Sequence, residues 1–190
     1  MGIIGNPAPN FSAPAAKDGE EITLSLEDFK GKWLILLFYP LDFTFVCPTE
    51  LVAFSDAADQ FKAVNAEIVG VSVDSVHTHL AWMRTPRSQA GVGELNYPLL
   101  SDLSKEIAAA YDVLIGDVAL RGVFIIDPDG IVQSATINNL DVGRSVAAVY
   151  RTLKGYQYAR ETGNVCPANW EDGQEGMAAT LDGVKKTIGG

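Results

Sequence analysis

The chain has 190 residues and a hydrophobic content of 47%, which is enough to bury a core, and its length predicts a single domain over residues 1–190. Its 24 acidic and 14 basic residues give a formal net charge of −10. Because the basic residues form no run that could follow a phosphate backbone, we expect no nucleic-acid partner. The most apolar run, residues 33–39, is too short to cross a bilayer, and the first residues lack the pattern of a secretory signal. The sequence therefore predicts a cytoplasmic protein with no membrane partner.

The first third of the chain predicts a β-ribbon followed by a strand–helix–strand unit. The turn at residues 17–20 joins two short extended segments, which is typical of a hairpin. The apolar run at residues 33–39 predicts a strand buried on both faces. A helix is expected to begin at Cys47, because its apolar residues recur at intervals of three and four: Leu51, Phe54, Ala58, Phe61 and Val64. A second buried strand at residues 67–73 should then lie parallel to the first.

The rest of the chain predicts helices around a hairpin. Residues 77–83 and 105–111 have helical patterns, and the turn at residues 127–130 lies between two strand-like segments. The sheet is therefore expected to be mixed. A last helix that includes Val149 is expected next. Residues 161–190, rich in Gly, Asn and Asp, are expected to form a loosely ordered tail.

The two cysteines are the residues most suggestive of chemistry. Cys47 follows the buried strand and opens a helix, where unpaired backbone N–H groups and the helix dipole stabilise a thiolate. A local dithiol switch would need a second cysteine three positions later, but that position is Glu50. Cys166 lies in the C-terminal tail. Cytosolic disulfides are usually transient and catalytic, so the pair indicates redox chemistry rather than a structural bridge.

The order of elements, with a cysteine at the first helix start, is that of the thioredoxin fold, and the motifs resemble those of the typical two-cysteine peroxiredoxins, including bacterial alkyl hydroperoxide reductase C. The resemblance covers nearly the whole chain. The matching segments are Phe-Tyr-Pro-Leu-Asp-Phe-Thr-Phe-Val-Cys-Pro-Thr-Glu at 38–50, Val-Ser-Val-Asp-Ser at 71–75, Thr-His-Leu-Ala-Trp at 78–82, Pro-Leu-Leu-Ser-Asp at 98–102, Arg-Gly-Val-Phe-Ile-Ile-Asp at 121–127, Val-Gly-Arg-Ser at 142–145 and Val-Cys-Pro-Ala-Asn-Trp at 165–170.

This resemblance implies an α/β thioredoxin-like fold with a mixed central sheet, an N-terminal β-ribbon and a C-terminal extension. It also implies an antioxidant peroxidase that reduces hydrogen peroxide and organic hydroperoxides with no metal, haem or flavin of its own. Cys47 would be the nucleophile that attacks the O–O bond, and Arg121 would lie against it, favour the thiolate and hold the peroxide.

Four further residues acquire roles from the same resemblance. Thr44 would donate a hydrogen bond to the thiolate or the peroxide, and Pro40 would shield the site without a competing N–H. Glu50, one turn after Cys47, would orient Arg121 and Arg144 through charge-assisted hydrogen bonds.

Cys166 would resolve the sulfenic acid of Cys47 as a disulfide, and in the resembled group this cysteine belongs to the neighbouring subunit of a homodimer. Such dimers often assemble into a ring, commonly a decamer. Thioredoxin, a glutaredoxin-like protein or a flavoprotein disulfide reductase would then supply electrons, and the sequence does not choose among these donors.

Several alternatives stay open at this stage. Cys47 could be a buried structural thiol, and Cys166 could have a structural or spectator role. Arg121 could be a salt-bridge partner at a strand edge, and Arg144 could form an ion pair at a helix start. For the whole protein, the alternatives are an oligomeric holdase chaperone, whose client binding would survive Cys47→Ser, and a redox relay, which would form mixed disulfides with partners in Cys166→Ser. His77 and His79 lie two positions apart and point to different faces of a helix, so no metal site is predicted.

One departure from the family pattern predicts resistance to inactivation. Relatives that excess peroxide inactivates easily carry a C-terminal helix with a Tyr-Phe pair, whereas residues 184–190 here read Val-Lys-Lys-Thr-Ile-Gly-Gly. We expect disulfide formation to outrun further oxidation of Cys47 to the sulfinic acid. Mass spectrometry after modest peroxide turnover checks this, and predominance of the Cys47 sulfinate would contradict it.

Overall fold

The structure is a computed structural model and describes residues 2–189. The chain divides into two compact units, with the division between Arg144 and Ser145. The prediction of a single domain over the whole chain stays a prediction. No helix in the described range is long and apolar enough to span a membrane.

The first unit contains a central sheet with helices between its strands. Short 3₁₀ helices occupy Leu26–Phe29 and Arg87–Gln89. Its strands are β1 (Ser12–Lys17), β2 (Glu20–Ser25), β3 (Trp33–Phe38), β4 (Ala66–Ser72), β5 (Leu99–Ser101), β6 (Leu114–Ile115), β7 (Val118–Ala119), β8 (Arg121–Ile126) and β9 (Val132–Asn138). Its α-helices are α1 (Cys47–Asp56), α2 (Ala58–Lys62), α3 (Val76–Arg84) and α4 (Glu106–Ala110).

Seven strands form one mixed sheet in the order β2-β1-β5-β4-β3-β8-β9, and β6 pairs with β7 alone. Strands β3 and β4 are parallel, as the predicted strand–helix–strand unit requires. Strands β1 and β2 form the predicted N-terminal ribbon, and β8 and β9 form the predicted hairpin, both antiparallel. The mixed α/β fold that the sequence predicts is therefore confirmed.

Two neighbouring strands, β3 and β8, are completely buried. Every residue of β3 and β8 is buried, as expected for strands that are covered on both faces. On one face Phe38, Tyr111 and Phe124 pack their rings against one another, with centroids 5.0 to 5.6 Å apart. This rigid centre fixes the position of the β3 end, where the candidate nucleophile follows.

One local prediction was wrong, and one strand was not predicted. The sequence predicted one continuous helix after Cys47, but the helix is interrupted at Ala57, whose backbone has φ −96° and ψ 0°, and α2 begins one residue later. Strand β5 was not predicted, because its three residues have no periodicity of their own. It forms by pairing with β1 on one side and β4 on the other.

The second unit contains α5 (Val146–Thr162) and α6 (Leu181–Ile188). Helix α5 begins at an N-cap from Ser145 and ends at Gly163, whose positive φ of 71° suits glycine. Residues 161–190 were expected to form a loosely ordered tail, and helix α6 within this segment was not predicted. The Thr180 side chain accepts the Gly183 N–H and so caps α6, a signal present in the sequence.

Candidate active site

The position of Cys47 follows from the sheet. Strand β3 ends at Phe38, a short connection follows, and α1 starts at Cys47. Strand β8 runs antiparallel to β3, with Leu37 opposite Val123. The start of β8 therefore lies beside the end of β3, and Arg121 is brought to the beginning of α1.

Cys47 is completely buried and contacts a guanidinium group. Arg121 Nη1 donates a hydrogen bond to Cys47 Sγ at 3.4 Å and another to Glu50 Oε2 at 2.7 Å. Arg121 Nε donates to the Leu140 carbonyl oxygen at 2.7 Å, which fixes the plane of the guanidinium. The guanidinium therefore places a positive charge directly beside the sulfur.

Glu50 joins the two arginines. Its Oε1 accepts the backbone N–H of Arg144 at 2.7 Å and Arg144 Nε at 2.8 Å, and its Oε2 accepts Arg144 Nη2 at 3.1 Å. Burial by itself would raise the pKa of Glu50, but the hydrogen bonds and charge of Arg144, together with the charge of Arg121, hold this pKa below its usual value. Glu50 therefore remains a carboxylate at neutral pH.

Arg144 ties this cluster to the sheet. Its Nη1 donates to the carbonyl oxygens of Phe38, at the end of β3, and Gly122, near the start of β8. The side chains of Arg121, Arg144 and Glu50 are no more than 4% exposed. Both arginines thus form ion pairs with Glu50, and these pairs are buried.

Pro40 and Thr44 lie in the connection between β3 and α1. Pro40 is buried and has no N–H to compete for the sulfur. The hydroxyl of Thr44 donates at 2.8 Å to the Leu41 carbonyl oxygen, whereas the resemblance implies donation to the thiolate or the peroxide. Between them, Phe43 has a positive φ of 53°, a left-handed conformation that costs a bulky residue about 1–3 kcal/mol.

Cys166 belongs to the second unit, and both cysteines are free thiols. Cys166 lies beside a groove of about 640 Å³ that is also lined by Arg151, Tyr156 and Trp170. Burial raises the pKa of the Cys166 thiol, and the charge of Arg151 partly offsets this effect. Cys166 is therefore largely a thiol at neutral pH.

A second buried polar cluster adjoins the connection before α1, and the sequence analysis assigned it no role in the chemistry. The Asp42 carboxylate accepts the Tyr39 hydroxyl and lies 2.7 Å from His79 Nδ1. From the sequence, His79 was considered together with His77 as a pair that forms no metal site, and Asp42 was only quoted as part of a motif. A buried aspartate six residues after the middle of a hydrophobic strand was the one available signal.

The arrangement around Cys47 suits nucleophilic attack by sulfur. The Cys47 sulfur lies at a helix start and faces a buried guanidinium that is held by Glu50 and the Leu140 carbonyl oxygen, so the positive charge is in place before any substrate arrives. Within residues 2–189, no group of three or more Cys, His, Asp or Glu side chains is placed to hold a metal ion.

Comparison with protein families gives two matches. Residues 4–135 match the AhpC/TSA family, and residues 155–190 match the C-terminal domain of 1-Cys peroxiredoxin. The first match covers more than half of the chain and contains Cys47, Glu50 and Arg121. The second contains Cys166.

Known relatives agree with these matches. The chain is 52% identical to the chloroplastic 2-Cys peroxiredoxin BAS1 of Hordeum vulgare, with 97% of this chain and 89% of that protein covered. It is 50% identical to peroxiredoxin-2 of Bos taurus, with 96% and 93% covered. The crystal structure of the reduced 2-Cys peroxiredoxin of Plasmodium vivax superimposes with a TM-score of 0.98 at 43% identity, with both chains fully covered. The chain therefore belongs to the AhpC/TSA family, has the thioredoxin-like fold of the 2-Cys peroxiredoxins, and is a thiol-dependent peroxidase.

Proposed function

We propose that Cys47 is the thiol that reduces the peroxide and that Cys166 resolves the product. The observation that carries the first assignment is the 3.4 Å contact between Arg121 Nη1 and Cys47 Sγ at the start of α1. The substrates are hydrogen peroxide and organic hydroperoxides, and the physiological role is antioxidant defence.

In the first step the Cys47 thiolate attacks one peroxide oxygen. An S–O bond forms, the O–O bond breaks, and the second oxygen leaves as hydroxide or alkoxide, which takes up a proton. Sulfur loses two electrons and becomes a sulfenic acid, while the peroxide gains them. Arg121 stabilises the negative charge as it moves from sulfur to the leaving oxygen.

The neighbouring residues support this step. Glu50 and Arg144 hold Arg121 and the first turn of α1 against the sheet, and Pro40 excludes water. Thr44 is assigned as a second donor to the peroxide, after its hydroxyl hydrogen turns away from the Leu41 carbonyl oxygen. Because Cys47 is completely buried, the start of α1 has to open locally before a second thiol can reach it.

In the second step the Cys166 sulfur attacks the sulfenic sulfur of Cys47, a disulfide forms, and the sulfenic oxygen leaves as water. We assign this bridge to two subunits of a homodimer, with the dimers assembled into a ring. Phe45 is 93% exposed and Phe43 is 53% exposed, which supports an apolar contact with a further copy of the chain. Thioredoxin or a flavoprotein disulfide reductase would then reduce the disulfide. The cytoplasmic location stays a prediction.

A single-turnover experiment tests both cysteine roles and the subunit arrangement. The reduced protein receives one equivalent of hydrogen peroxide and is analysed on a non-reducing gel with peptide mass mapping. We expect a covalent dimer that contains the Cys47–Cys166 peptide. In Cys166→Ser the dimer should be absent and Cys47 should be trapped as the sulfenic acid, and Cys47→Ser should give neither product.

Two other results would correct the proposal. A bridge within one chain would keep the two-step chemistry but overturn the intersubunit arrangement. A Cys47 that stays unoxidised while peroxide is consumed would overturn its assignment as the reactive thiol.

A further inference from the structure

The connection between β3 and α1 is held by side chains. Residues 40–46, all of which the structure describes, form neither helix nor strand. This connection carries Pro40 and Thr44 and leads directly into Cys47. Its geometry therefore depends on whatever anchors it, and a small displacement of a reacting group is costly for catalysis.

Asp42 provides two anchors at the middle of this connection. Its backbone N–H donates to Asp74 Oδ2 at 2.8 Å, and Asp74 follows the end of β4. Its side chain is buried between Tyr39, whose hydroxyl donates to Oδ1 at 2.7 Å, and His79 of α3, whose Nδ1 lies 2.7 Å from Oδ2.

The hydrogen-bond acceptors around this cluster show which of its nitrogen and oxygen atoms carry a hydrogen. His79 Nε2 lies 3.3 Å from the Leu100 carbonyl oxygen, which only accepts, so Nε2 carries a hydrogen. Burial raises the pKa of the Tyr39 phenol far above its usual value, so the phenol keeps its hydrogen for Asp42. One hydrogen is then left between Asp42 Oδ2 and His79 Nδ1, and every polar atom of the cluster is satisfied.

An aromatic contact adds a third anchor. The ring of Phe43 lies against that of Trp82 on α3, with centroids 5.6 Å apart. Trp82 is itself fixed, because its Nε1 donates to the Ala90 carbonyl oxygen at 3.2 Å. Phe43 has the left-handed backbone conformation noted above, and this contact joins it to α3 at the middle of the connection.

We propose that Tyr39, Asp42 and His79 are positioning residues for the peroxidase reaction, because together they fasten the connection that carries Pro40 and Thr44 to α3 and so hold the start of α1 in the geometry that receives the peroxide. They act through the connection and do not touch the sulfur. This proposal rests on the proposed function, since it requires Cys47 to be the reactive thiol.

The test compares two reactions of the same sulfur. In the Cys166→Ser background Cys47 is the only cysteine left of the chain's two. Its oxidation by hydrogen peroxide needs the positioned site, whereas its alkylation by iodoacetamide needs only access to the thiolate. Both second-order rate constants are measured by rapid quenching and mass spectrometry. The folded fraction of each variant is measured by circular dichroism under the same conditions, because unfolding would expose the buried Cys47 to iodoacetamide and raise the ratio of alkylation to oxidation by itself.

Asp42→Ala removes both side-chain hydrogen bonds. We expect oxidation to slow by about tenfold or more while alkylation does not slow, so that the ratio rises by about tenfold. Asp42→Asn should restore the ratio to within about threefold of the parent, because its oxygen still accepts from Tyr39 and its NH₂ can donate to His79 Nδ1. Rescue by the amide identifies hydrogen-bonded geometry as the cause.

Asp127→Ala is the matched control. Asp127 is also a buried aspartate of the first unit, and it accepts the backbone N–H groups of Asp129 and Ile131 at 2.9 Å. It follows β8 at the end remote from Arg121, so its loss should lower stability without changing the ratio. If Asp42→Ala fails to fold, Tyr39→Phe removes one hydrogen bond and keeps the ring, and the ratio should rise by roughly threefold.

Three results would overturn the proposal: an unchanged ratio in Asp42→Ala, or in Tyr39→Phe where that variant replaces it, an equal change in Asp127→Ala, or no rescue in Asp42→Asn. A parent protein whose Cys47 does not react with peroxide would instead overturn the proposed function on which the inference depends.

Discussion

Replacing Arg121 with glutamine is expected to slow the oxidation of Cys47 by about 100- to 1,000-fold, the usual cost of removing one preorganised donor from a site of developing charge. Arg121 Nη1 is 3.4 Å from Cys47 Sγ, and the guanidinium is buried, so its charge acts with little screening by water. Glutamine is polar but carries no charge. It can neither favour the thiolate nor compensate the charge on the leaving oxygen.

Stopped-flow measurement of the second-order rate constant with hydrogen peroxide, in the Cys166→Ser background, checks this expectation. Arg87→Gln is the control, because Arg87 pairs with Asp56 at 3.0 Å in a half-exposed ion pair, and such pairs contribute little. A rate for Arg121→Gln within about threefold of the parent would mean that Arg121 has only a structural role.

Replacing Glu50 with glutamine is expected to lower the free energy of unfolding by about 3–5 kcal/mol, because it leaves two buried guanidinium groups without a counter-charge. The Glu50 carboxylate accepts four hydrogen bonds from Arg121 and Arg144. An amide retains one acceptor oxygen and directs its NH₂ hydrogens toward donors. Urea unfolding measures the change.

Glu67→Gln is the matched control for this variant, since Glu67 forms a partly exposed pair with Lys32 at 2.9 Å. That change should cost no more than about 1 kcal/mol. Equal losses for Glu50→Gln and Glu67→Gln would show that the buried cluster contributes no more than a surface pair.

The stability difference between the parent and Glu50→Gln should also depend on pH. The pKa of Glu50 is lower in the folded protein than its ordinary value of 4.5, so the unfolded chain binds this proton more tightly. The stabilisation is fully present above the ordinary value and is lost as the pH falls through the folded-state pKa. The difference should therefore shrink on acidification below about pH 4.5. Buried Asp42 and Asp102 have raised pKa values, but they are present in both proteins and cancel.

Strand β3 could be predicted from the sequence, because an uninterrupted apolar run indicates a strand that is buried on both faces. Residues 33–38 are apolar without interruption, and in the structure all of them are buried. Strand β5 could not be predicted in this way, since its three residues become a strand only through two neighbours that are distant in sequence. The break at Ala57 is equally hidden, because the apolar spacing continues across it.

The candidate site, too, could be predicted from the sequence only in part. Cys47 stands out because its position between a strand and a helix has chemical meaning, and family motifs supply Arg121, Glu50 and Arg144. The hydrogen bonds that these side chains form can be identified only from the folded structure. The Leu41 carbonyl oxygen competes for the Thr44 hydroxyl, and His79 reaches Asp42 from a helix that begins 34 residues later in the sequence. No local sequence pattern predicts this contact between His79 and Asp42.

The attachment of Glu50 to the sheet limits how far the reactive sulfur can travel. Arg144 donates hydrogen bonds to both the Glu50 carboxylate and the Phe38 carbonyl oxygen. We therefore expect unwinding of α1 that begins at Cys47 to stop at Glu50, three residues later in the chain. Three extended residues span about 10 Å, which is the tether length of Cys47. A disulfide then requires the partner's Cα within about 7 Å. In the proposed second step, the resolving cysteine would therefore have to be delivered to the mouth of the site, and the short tether would favour only a thiol that arrives there.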